Sequence, residues 1–148
     1  MPHFETFFLV KWLHFTALSL GGGAMVVALL LSGFEEERED LRGLSATVWK
    51  KAVAWPIRLA FLFGVLLWLL RFQQQENLLR YSYFHFKLAF ALALLAFSEM
   101  SPRALAAGKR GAALLALCLF LFASFVAINS GAFPRKAAPE SAPSLQAR

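Results

Sequence analysis

Four blocks of nearly continuous apolar sequence, 7–31, 52–70, 83–100 and 112–128, alternate with polar links along the chain. Each is close to the roughly 20 residues that carry a helix across a hydrocarbon core of about 30 Å. Lipid offers a backbone no hydrogen-bond partners, and no stretch alternates in the period of two that a strand needs, so the blocks read as helices. The pattern predicts an all-α integral membrane four-helix bundle. Short links make consecutive helices antiparallel, in up-down-up-down order. "SGFEEEREDLRGLS" (32–45) is the one long charged insert, with five acids and two arginines, while "RFQQQENLLRYS" and "SPRALAAGKRG" join the later spans. After Phe133 the chain turns to "PRKAAPESAPSLQAR", poor in apolar bulk, which predicts a disordered tail over 134–148 and leaves 1–133 as a single four-span domain.

Composition strengthens the membrane reading. Of 148 residues, 59% are hydrophobic, 16% are charged and sixteen are Phe, so a water-soluble globule of this sequence would expose much apolar surface. Lys11 and His14 interrupt the start of the first block, the block is long for a signal peptide, and no small-residue cleavage site follows it, so the first span reads as uncleaved. The net charge of +6 comes from basic residues beside span ends, which suits anionic lipid and forms no nucleic-acid patch. Seven cations on the N-terminal side face eight on the other, which points to an outside N-terminus. Trp12, Trp49, Trp55 and Trp68, with Tyr81 and Tyr83, fall mostly near span ends as an aromatic belt. Cys118 is alone and reads as packing, and His3 as solvated.

Ionisable groups inside spans are costly in lipid and mark either function or a satisfied packing role. His14 lies about two turns into span one and His85 in the first turn of span three. These spans run in the same direction, so both imidazoles are expected at similar depth near one face. Two neutral imidazoles facing each other across a bundle suit axial ligation of a b-type haem. The helical stripe from His14 reads Leu18, Gly21, Met25 and Ala28, and that from His85 reads Ala89, Leu92, Ala96 and Glu99. Both are lean. Gly21, Gly22 and Gly23 therefore suit either a porphyrin face, with Met25 beside it, or a closely packed helix.

Lys11, one turn before His14, is placed to reach a haem propionate, whereas Lys87, two residues after His85, leaves from another side of its helix. Snorkelling of either lysine to the interface is the simpler alternative. Arg58 follows Trp55 and Pro56 within span two, and Glu99 near the end of span three is its expected counter-ion in a structural clamp.

"VKWLHFTAL" opening the first helix and "YFHFKLAFALALL" opening the third resemble features of HemJ-type bacterial membrane proteins and, more distantly, of CopD-like membrane domains. The resemblance covers the three leading spans. It implies a bacterial inner-membrane protein that binds haem b, with a protoporphyrinogen-oxidase-like redox role, and it maps a functional histidine onto His14 and a functional lysine onto Lys87. The chain departs from the HemJ pattern after His14, where "GGGAMVVALLLSGFEEERED" replaces a Trp-and-Gly segment ending in Pro-Arg. Copper transport is less suited, since Met25, Met100 and Cys118 do not cluster by spacing. No phosphate loop, nucleophile elbow, C-x-x-C or H-E-x-x-H occurs. The expectation is a haem protein handling electrons, held by His14 and His85, with a redox partner or larger membrane complex beside the lipid and a homo-oligomer also open. The alternative is a non-catalytic accessory or assembly subunit in which the histidines and small residues only pack.

Overall fold

The computed structural model describes residues 2–72 and 82–129, and those residues form helices with no strand. The helices are α1 (Pro2–Glu37), α2 (Leu44–Val48), α3 (Ala54–Phe72), α4 (Ser82–Ala106) and α5 (Gly111–Asn129). A 3-10 turn at Glu39–Leu41 precedes α2, and a π turn at Trp49–Val53 joins α2 to α3 in one rod. Three stretches are long and apolar enough to cross a membrane, Glu5–Glu37, Glu39–Leu70 and His85–Ala106, and Gly111–Val126 is a shorter apolar helix. The four predicted blocks are thus the four main helices. The expected tail over 134–148 and Tyr81 lie outside the residues whose placement is described, as do the side chains of His3 and Tyr83.

The long charged insert is shorter than its composition suggests, because α1 continues through Glu35, Glu36 and Glu37. Interactions beyond the helix hold this polar turn in place. Arg110 donates to the Ser32 carbonyl at 2.6 Å and pairs with Glu36 at 2.6 Å, tying the start of α5 to the end of α1. Glu35 accepts the Ser45 N–H, meeting one of the donors that the start of α2 leaves without an intrahelical partner. Gly43, with φ of 85°, makes the left-handed turn between them. At the other tight link, Gly108 has φ of 71° and donates to the Leu105 carbonyl at 2.9 Å, while Lys109 donates to Ala104 at 2.8 Å. This is a Schellman ending, and it reverses the chain from α4 into α5.

Two prolines shape the helices that meet at the core. Pro102 has no N–H, so the Ser98 carbonyl one turn earlier loses its intrahelical donor. The Trp49 indole N–H takes that carbonyl at 2.9 Å, which explains why α4 continues past Pro102 to Ala106 when the sequence places a link there. A helix in lipid tolerates a proline when a neighbour satisfies the carbonyl it frees. On the partner rod the π turn lies just before Pro56, where the regular ladder is also interrupted, and it turns Trp49 inward. Trp49 is fully buried and packs with Met25, Ala28, Val53, Ile57, Leu94, Leu105, Ala113 and Ala116, so all the long helices contribute to one apolar core.

Small residues set the spacing of α1 against its neighbours. A side chain at Gly21 would begin 2.9 Å from Ile57 Cδ1, and one at Gly22 would begin within 2.4 Å of the Phe120 ring, so α3 and α5 both press on α1 at this level. Gly23 meets nothing within 4 Å. Many large apolar side chains point outward, among them Phe8, Leu20, Leu30, Leu62, Phe86, Leu121 and Phe125, as suits a bundle whose solvent is lipid.

Candidate functional site

His14 is half-buried where α1 packs along α3. Its Nδ1 lies 2.7 Å from the Ala60 carbonyl oxygen. A carbonyl only accepts, so the proton of this hydrogen bond is on Nδ1, and the neutral ring keeps its lone pair on Nε2. Gly64 makes the approach possible, since a Cβ there would stand 3.3 Å from His14 Cε1 and 3.6 Å from Nδ1. Phe15 packs edge-on at a centroid distance of 5.7 Å. An imidazole whose Nδ1–H is held by a backbone carbonyl, with Nε2 left to coordinate, is the usual arrangement of a metal-ligating histidine. It is also a complete hydrogen bond for a histidine that only packs.

The two imidazoles expected to face each other are not joined by any described contact. His14 turns toward α3, and α1 packs mainly along α3 and less along α5, whereas α4 packs mainly along α5. His85 is exposed in the first turns of α4, and Lys87, two residues on, is exposed as well. Lys11 is exposed one turn before His14. Gly21 and Met25, expected beside a macrocycle, both lie in packed surroundings. Ile57 fills the space beside Gly21, and Met25 is wholly buried in the apolar core. A haem at His14 fits the ligand chemistry of that ring and does not fit the stripe toward Met25.

Arg58 and Glu99 form the anticipated pair, with Nε to Oε1 and Nη2 to Oε2 each at 2.6 Å. This two-pronged bond joins α3 to α4 at the surface, where both side chains are about half exposed, and Arg58 also lies over the Trp55 ring at 5.4 Å. Among the described residues, no group of three or more His, Cys, Asp or Glu side chains gathers to hold a bare metal ion. Reading the sequence alone missed Ala60 and Gly64. Gly64 is an isolated glycine within an apolar helix, a sign of close approach, but nothing in its spacing names His14 as the visitor. No protein-family model matches the chain, and no curated protein or solved structure matches it either.

Proposed function

We propose that this chain is a four-span protein of the bacterial inner membrane, with its helices in up-down-up-down order, that binds b-type haem through His14 and serves electron transfer or a protoporphyrinogen-oxidase-like oxidation. The observation that carries this reading is the hydrogen bond from His14 Nδ1 to the Ala60 carbonyl at 2.7 Å, which leaves Nε2 as the free lone pair. α5 fits the fourth span, because its 19 residues reach about 28 Å at about 1.5 Å each. Antiparallel packing is supported by register. His14 meets Ala60 while Gly21 meets Ile57, and Gly22 meets Phe120 while Ser32 meets Arg110.

A bound haem supplies one-electron chemistry at iron. The protein's own part is then to fix and shield the ligand. Ala60 sets the tautomer and direction of His14, Gly64 leaves room for its ring, and Phe15 covers its edge. His85 at the start of α4 is the second ligand in this reading, Lys11 the group that meets a propionate, and Lys87 the cation toward an anionic substrate. The similarity to HemJ-type sequences supports Lys87 in that role.

The test is an absorption spectrum of protein purified in mild detergent. The proposal expects a Soret band and a reducible alpha band, both weakened by His14→Ala and by His85→Ala. A colourless protein that takes up no added haem leads instead to an accessory or assembly subunit, for which the same His14–Ala60 bond is a helix clamp.

A further inference from the structure

The surface where α3 meets α4 carries a graded arrangement of groups that the haem reading does not use. Its centre is the Arg58–Glu99 pair, in which both carboxylate oxygens are occupied by the guanidinium, leaving the pair neutral with donors to spare on Arg58. Arg103 is one helical turn beyond Glu99 on the same face of α4 and is exposed. Lys50 and Lys51 are exposed on the π turn, eight and seven residues before Arg58 on the same rod, about two turns back along the exposed face that carries Trp55 and Arg58. Trp55, 59% exposed, lies under Arg58 as an interfacial aromatic. One turn further along α3 from Arg58 the surface is apolar, with Leu62 at 60% exposure, and on α4 the residues one and two turns before Glu99 are Ala96 and Leu92, both exposed.

We infer that this seam is a binding site for an anionic phospholipid, its phosphate among Lys50, Lys51, Arg103 and the spare donors of Arg58, and an acyl chain along Leu62, Ala96 and Leu92. Charge complementarity selects the headgroup. The neutral Arg58–Glu99 pair removes the only acid from the seam's described centre, so the three remaining cations face the phosphate without an internal competitor. The change from cations to an interfacial tryptophan to aliphatic and small side chains follows the same order as a lipid, from phosphate to glycerol to chain. A free phosphate ion would use only the first of these features, and the seam is committed to the lipid.

The experiment measures thermal protection of the full-length protein in mild detergent on titration with phosphatidylglycerol, phosphatidylcholine or inorganic phosphate. Phosphatidylglycerol is expected to raise the midpoint, with phosphatidylcholine and phosphate far weaker. The variant with Lys50→Ala, Lys51→Ala and Arg103→Ala is expected to bind phosphatidylglycerol about a hundredfold more weakly, roughly fivefold per cation. A charge-matched control with Arg38→Ala, Arg42→Ala and Lys109→Ala, away from the seam, is expected to change it by less than about fivefold. Substitution of the same seam residues by Lys50→Arg, Lys51→Arg and Arg103→Lys is expected to retain binding, which separates loss of the site from loss of the fold. Equal protection by phosphatidylcholine or by phosphate, equal weakening in the seam variant and the control, or no weakening in the seam variant would each overturn the inference. None of these readouts depends on haem.

Discussion

At the scale of single residues, two neighbours in α4, Ser98 and Pro102, are linked to Trp49, 49 positions from Ser98. Pro102 frees the Ser98 carbonyl, and Trp49 binds it from the neighbouring rod. Trp49→Phe keeps most of the apolar bulk and removes the donor, so it is expected to cost about 1–3 kcal/mol of stability. Pro102→Ala restores an N–H within α4, and Trp49→Phe made in that background should cost less by about 1 kcal/mol. Denaturation of the four proteins in mixed micelles checks this, and simple additivity would show that the carbonyl is not what couples them. His14 follows similar logic. Its presence in an apolar block was legible in the sequence as an ionisable group in need of a partner. That the partner is the Ala60 carbonyl, reached across Gly64, was not legible, because a backbone acceptor carries no sequence signature. The Arg58–Glu99 pair was legible for the opposite reason, since two opposite charges inside apolar spans have few other ways to be satisfied.

At the scale of elements, the glycine run in α1 shows how local composition and tertiary contact divide. All three glycines look alike in the sequence, yet Phe120 presses on Gly22, Ile57 on Gly21, and nothing on Gly23. Gly22→Leu is therefore expected to lower the thermal midpoint substantially, at a cost of about 1–3 kcal/mol from overpacking. Gly23→Leu, on an open face, is expected to leave it near the wild-type value or raise it through better helix propensity. Equal effects of the two substitutions would contradict the packing described for α1 and α5. The existence and type of the long helices followed from block length. Their ends did not, because α1 runs on through three glutamates and α4 through a proline, each supported by a residue from beyond the helix itself. The π turn was hidden as well, since it arises from the break in register before Pro56 and the inward demand of Trp49.

At the scale of the whole molecule, the apolar exterior and the charged turn at the ends of α1 and α4 define how a four-span chain would lie in a bilayer. With an outside N-terminus, a phosphatase fused after residue 133 is expected to be active and one fused within the turn between α4 and α5 inactive. The reverse activities would invert the orientation. The lean stripe along α1 that suggested a macrocycle is packed at Gly21, against Ile57, and at Met25, within the apolar core. The sequence could mark both histidines but not the direction in which either ring turns, because that depends on which helices are neighbours, and α1 takes α3 and α5 in preference to α4.

The proposed role of His14 is to present Nε2 to haem iron while Ala60 and Gly64 hold its ring. It is tested most directly by the haem-to-protein ratio of purified wild-type protein, His14→Ala and Gly64→Leu, each checked for an intact thermal transition. That role predicts haem in the wild type, its loss in His14→Ala, and a reduced ratio in Gly64→Leu, where the added side chain displaces the ring from its carbonyl. Folded His14→Ala protein that retains haem at the wild-type ratio would contradict it.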